Sequence, residues 1–255
     1  MRFQAVITTA LVVVVAVAIP GQANAQNPPA GAIFDLATAH PAAFSASAYT
    51  QFTTSFVASA TSEYVSFAFR EVPAYFSFDD ASVTQQGSST NLLQDPGFES
   101  DTAANVGTNF PVGWGRWIQP VDTTAIGVVA SGNTGDCASS GPHTGSYFWC
   151  DGSVQGYDGL YQQFNGLTVG ATYTITFWLT DNSGDPMSNP QIDMLVYAGP
   201  ALPTGTQTIG TPPAPILVTT PVPGTVWLML LGIGALGLYL LFRRWNAPRI
   251  GGIKT

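Results

Sequence analysis

Between residues 26 and 220, apolar and polar positions alternate in short runs. Phe52, Thr54, Phe56 and Ala58 share one face of such a run. Val65, Phe67 and Phe69 share another, as do Tyr173, Ile175, Phe177 and Leu179, and Ile192, Met194 and Val196. A period of two, rich in aromatic and β-branched residues, predicts half-buried strands. Gly, Pro, Ser, Thr and Asn break the runs at short intervals, and no stretch here sustains a 3.6-residue period. Many short strands with polar turns predict an all-β sandwich or barrel.

Both ends depart from this pattern. Met1-Arg2 is followed by an apolar run from Ala10 to Ile19 and by Ala23-Asn24-Ala25, the layout of a signal peptide over residues 1–25. An uncleaved N-terminal anchor is the alternative. Near the C-terminus, Thr225 to Phe242 holds no Asp, Glu, Lys, Arg or His. As a helix it would span roughly 27 Å, close to the hydrocarbon thickness of a bilayer. A helix without a polar face is expected to cross a membrane or to be deeply buried. Trp227 lies at the interfacial position, and Arg243, Arg244, Arg249 and Lys254 follow on what the positive-inside rule makes the cytoplasmic side. Residues 224–244 are therefore expected to form a transmembrane helix, with a basic cytoplasmic tail at 245–255. Residues 201–223, rich in Pro, Thr and Gly and free of charge, are expected to be an extended linker.

Charge narrows the partners. The part between the two ends carries fifteen acidic residues against Arg70 and Arg116, a net charge of −13. Nucleic acid is excluded as a partner, because phosphate contacts need Lys and Arg. Arg116 is expected to be an internal ion-pair partner rather than a substrate clamp. The two cysteines, Cys137 and Cys150, are expected to form a disulfide in an exported chain, free thiols being the alternative.

The C-terminal layout resembles a family of bacterial sorting tails. Val222, Pro223 and Trp227, then Gly232, Gly234 and Gly237, then Arg243 and Arg244, are similar to the PEP-CTERM class and its Val-Pro-Leu-Pro-Ala variant. The chain departs from the parent motif in lacking Glu between the prolines and in carrying eleven residues beyond the Arg pair. The resemblance implies processing by an exosortase-type membrane protease in an exporter of extracellular polysaccharide. An ordinary single-pass anchor is the alternative.

Other words resemble galactose-binding-like jelly rolls, the fold of many carbohydrate-binding modules. Asn91-Leu92-Leu93-Gln94-Asp95-Pro96-Gly97-Phe98-Glu99 is similar to their opening strand, and Gly170 to Trp178 to a later one. The match to the closing strand, Phe78-Asp79-Asp80-Ala81-Ser82-Val83, precedes the opening one. The expectation is one circularly permuted jelly roll over residues 31–200, with 76–83 beside 91–98. Two partial sandwiches are the alternative. The resemblance implies a structural Ca²⁺ held by Glu99, Asp80 and Asp79, since calcium takes carboxylate and carbonyl oxygens. Trp149, Asp151, Tyr157, Asp158 and Trp114 gather rings and acids suited to stacking on sugars and accepting hydroxyl protons, and are the candidate glycan site.

Enzyme signatures are missing. His40 and His143 lack metal spacing, no G-x-S-x-G elbow occurs, and neither cysteine sits beside a histidine. Paired carboxylates of a glycoside hydrolase are the remaining enzymatic option. The reading is a non-enzymatic exported protein of the cell surface or extracellular matrix. It would pass through an inner-membrane-anchored precursor, be sorted by its tail and associate with extracellular polysaccharide. A glycan lectin with a defined sugar site is the alternative.

Overall fold

A computed structural model describes residues 27–42, 48–120, 127–132, 137, 140–183, 185 and 189–219. The expected signal peptide and transmembrane helix lie outside them. Among the described residues no helix is long and apolar enough to cross a membrane.

The chain runs through β1 (Phe34–Asp35), α1 (Leu36–Ala39), β2 (Thr50–Val57), β3 (Ser62–Arg70) and β4 (Phe76–Gln85). It continues through β5 (Gly115–Ile118), β6 (Val128–Ser131), β7 (Tyr147–Asp151), β8 (Asp158–Asn165), β9 (Thr172–Asp181) and β10 (Asp193–Gly199). Two short strands follow, β11 (Gln207–Ile209) and β12 (Ile216–Leu217). One sheet has the order β1-β10-β3-β8-β5-β11, with β12 added parallel to β8. The other is antiparallel in the order β2-β9-β4-β7-β6. The all-β expectation holds, and the two sheets face each other as a sandwich.

The alternating faces fix which side chains meet. Phe67 of β3, Phe78 of β4 and Phe177 of β9 meet between the sheets, with ring centroids 4.8–5.8 Å apart in tilted and edge-on pairs. Phe34 and Phe52 extend this cluster, each 5.6 Å from Phe177. Edge-on and tilted pairs suit the ring quadrupoles and contribute beyond simple burial. In both sheets, strands from before residue 90 are inserted between strands from after it. β3 lies between β10 and β8, and β4 lies between β9 and β7.

Residues 91–98 do lie beside β4, but they are not a strand. Leu92 N donates to Val83 O and Ala81 N to Pro96 O. The side chain of Asn91 accepts from Val83 N and donates to Ala81 O. A regular ladder fails because Pro96 has no N–H and because Asp95 and Phe98 adopt left-handed backbone angles, with φ of 46° and 61°. The segment also reaches the other sheet. Gln94 and Gln162 of β8 exchange two hydrogen bonds, at 2.9 and 2.6 Å. It therefore stitches the sheets together along one side.

The expected free linker at 201–223 is corrected over most of its length. β11 pairs with β5 and β12 with β8. Leu202 packs against the outer cluster of Trp117, Tyr157, Tyr161, Leu195 and Tyr197. Val218 is buried in the main core, and its N–H donates to Asn165 O. Pro and Thr favour extended backbone, and here that backbone docks as sheet edge instead of hanging free. A chain ending at Pro200 should be less stable than one ending at Thr219 by about 2–4 kcal/mol, from lost Val218 burial and strand pairing. Denaturant melts of the two would check this, and equal midpoints would return the segment to a linker.

Candidate functional site

β5, β7 and β8 bring Arg116, Trp149, Asp151 and Asp158 together inside the sandwich, all 0–1 % exposed. Arg116 Nη2 donates to Asp158 Oδ2 at 2.5 Å, and Nη1 donates to Asn109 O and Gly127 O. The guanidinium carbon lies 4.6 Å from the centroid of the Trp149 ring, a cation–π arrangement. Trp149 Nε1 donates to Asp151 Oδ2 at 2.9 Å. Asp151 and Asp158 lie close enough to affect each other's ionisation, and Asp158 Oδ1 has no hydrogen-bond partner. Burial pushes both up, and for Asp158 the neighbouring Asp151 adds to the rise.

The five candidate glycan residues are thus placed in the interior. Tyr157 is also buried, its hydroxyl donating to Asp193 Oδ2 at 3.1 Å. Trp114 is buried too, stacked on Phe98 and donating from Nε1 to Asp95 O. Trp114 and Trp149 flank Phe98, with ring centroids 5.7 and 6.3 Å away. These rings present no open face on which a pyranose could stack. The expectation for Arg116 as an internal ion-pair partner is met.

The three candidate calcium ligands converge on one loop and are occupied by its donors. Glu99 Oε1 accepts from Ser146 N and Tyr147 N, at 2.7 and 2.9 Å. Asp79 Oδ2 accepts from His143 N and Thr144 N, and Asp79 Oδ1 from Asp80 N. Asp80 Oδ2 receives His143 Nδ1 at 2.7 Å and the Thr144 hydroxyl at 2.8 Å. Donor hydrogens thus point at Glu99 Oε1 and at both oxygens of Asp79 and of Asp80. Among the described residues no group of three or more acidic, His or Cys side chains could hold a metal. The residues present do not fit calcium. Millimolar Ca²⁺ and EDTA should give the same melting temperature. A rise of several degrees in Ca²⁺, lost in Glu99→Ala, would restore the ion.

His143 marks a surface constellation that sequence reading missed. Its ring stacks on Trp178, centroids 3.9 Å apart, and meets Tyr49 edge-on at 5.3 Å. Trp178 falls between Phe177 and Leu179, both core-facing, so the period of two already sent it to the outer face. Nothing in the sequence foretold that His143 would cover it. Asp80 has φ 45° where the β4–β9 register shifts, and this bulge aims its carboxylate at the 143–144 turn. The arrangement pins the loop before β7 to the sheet, and Tyr49 adds a hydrogen bond to Gly141 O at 2.7 Å.

Buried acids elsewhere set the pH behaviour. Burial pushes Glu71 and Asp79 up to about 8, with Asp181 adding to the first and Asp80 to the second. Burial likewise lifts Asp101 and Asp193 to about 6. A raised carboxyl holds its proton more tightly folded than unfolded, where it titrates near 4. The stability it contributes is full below about pH 4 and is lost as pH rises towards about 8. Melting temperature should therefore fall between pH 5 and pH 8. Glu71→Gln should flatten that slope, because Glu71 is buried and its Oε2 has no partner. An unchanged slope in the variant would show that this carboxyl does not titrate in the window.

Residues 219–244 match the PEP-CTERM protein-sorting motif. The match marks the chain as exported and sorted through its C-terminus, and such motifs are recognised by exosortase-type processing enzymes. Among curated proteins and among solved structures, none matches the chain. The disulfide expected of an exported protein is formed between Cys137 and Cys150, with Cα atoms 5.9 Å apart.

Proposed function

We propose that the chain is a non-enzymatic protein of the bacterial cell surface or extracellular matrix. It passes through a precursor anchored in the inner membrane by residues 224–244 and is released or transferred by an exosortase-type protease. The sorting-motif match at residues 219–244 carries this reading. The disulfide supports it, since such bonds persist in oxidising compartments. The ectodomain is read as a jelly roll in permuted order, which the intercalation of β3 and β4 among later strands supports. Association with extracellular polysaccharide belongs to the same proposal. The lysine-free, acidic surface suits a neutral polymer better than an anionic one. The lectin alternative has lost its lining to the core and is set aside.

Intact mass of surface-extracted protein tests the sorting step. In a strain with the protease, the mature protein should lack Trp227 to Thr255, and full-length precursor should accumulate when the protease gene is removed. A mature mass that still includes Lys254 and Thr255 would leave a plain single-pass protein. Co-sedimentation of the purified ectodomain with polysaccharide from the same strain tests the association, and a domain left in the supernatant would remove it.

A further inference from the structure

We infer that the domain rests end-on against the bilayer while it is tethered, with Val57, Val169 and Leu217 facing lipid. The inference rests on the proposed membrane anchoring of residues 224–244. Its starting point is the corrected linker. Val218 is fixed in the core, so only residues 219–224 separate the domain from the apolar run that begins at Thr225. Six residues fully extended reach about 20 Å. The end of the sandwich from which Val218 emerges must therefore lie next to the membrane.

That end is built for the contact. Three segments make it, and backbone hydrogen bonds hold them side by side. Ala58 N donates to Ala171 O and Gly170 N to Ala58 O. Gly166 N and Leu167 N donate to Thr61 O, and Val218 N donates to Asn165 O. Segments 57–61, 165–171 and 216–218 contain no ionisable residue. The neighbouring Glu63 is 1 % exposed, and its carboxylate accepts from Ser59 N, Ala60 N and the Ser59 hydroxyl. Each segment instead exposes one large apolar side chain. Val57 is 60 %, Val169 56 % and Leu217 74 % exposed.

Charge orients the domain the same way. Asp181, Asp185 and Asp193 sit towards the opposite end of the same strand system, since β9 runs from Thr172 to Asp181 and β10 begins at Asp193, whereas Asp151 and Asp158 there are buried around Arg116. Ten residues of β9 put that acidic end roughly 30 Å away. Anionic headgroups repel it and tolerate the neutral end. A six-residue leash makes the contact intramolecular, so a few apolar side chains suffice to hold it.

The test uses the full chain reconstituted in vesicles of phosphatidylethanolamine and phosphatidylglycerol that carry a nitroxide-labelled lipid. A fluorophore is placed on Val169→Cys, Leu217→Cys or Val154→Cys, the native cysteines being paired. Val154 is 45 % exposed in the loop before β8, at the acidic end, and serves as the reference. Quenching should be several-fold stronger at 169 and 217 than at 154. Equal quenching in chains that float with the vesicles overturns the docking and leaves the anchor standing. Chains that fail to float overturn the anchor and the docking with it. Protection of position 169 in cells only when the processing protease is present, without quenching in vesicles, assigns this end to that enzyme and overturns the lipid contact.

Discussion

The guanidinium of Arg116 is the group on which the two sheets depend jointly. β5 and β8 of one sheet supply Arg116 and Asp158, and β7 of the other supplies Trp149 and Asp151. Removing charges from water is costly, and a buried ion pair is held only if geometry and further hydrogen bonds compensate. Here Nη1 and Nη2 find a carboxylate and two carbonyls, and the ring of Trp149 takes the flat face. Lys could not replace Arg, because only the planar fork meets three acceptors while stacking on an indole. Truncating Arg116 would leave Asp158 without its partner in a dry interior.

The same cluster shows where the sequence was legible and where it was not. Period-two alternation placed Phe52, Phe67 and Phe177 in the core, because a strand's face depends only on local spacing. Two cysteines in an exported chain left a simple pairing, and scarcity of cations made Arg116 an internal partner. Trp149, Asp151 and Asp158 also fell in one neighbourhood, but their burial did not follow from turn-rich local sequence. It follows from β7 and β8 lying in different sheets with a cation between them, a non-local fact. Asp79, Asp80 and Glu99 were likewise rightly grouped. What they hold is a loop of N–H groups some 45 to 65 positions away, which no local pattern announces.

Residues 201–218 were misread for a related reason. Composition rich in Pro and Thr sets backbone preference, extended and without helix, but it does not say whether that backbone is solvated or paired. Pairing was decided by what the rest of the chain leaves open. β5 has an unpaired edge for β11, and Tyr161 and Trp117 form an outer apolar surface for Leu202. Gly166 has φ 93°, and a side chain there would run into the Val218 carbonyl, so the last turn of the fold is shaped around the departing chain.

This ties the state of folding to the reach of the tail. In the folded domain the chain leaves at Val218, and the leash to Thr225 is six residues. If β11 and β12 were released, residues 201–218 would join the leash, and its extended reach would rise from about 20 Å to about 80 Å. The two states differ in how far the domain can sit from the sorting motif. Docking of a sequence that composition marks as linker is thus the element that couples the fold to the sorting motif. Its stability sets which of the two reaches the tail has.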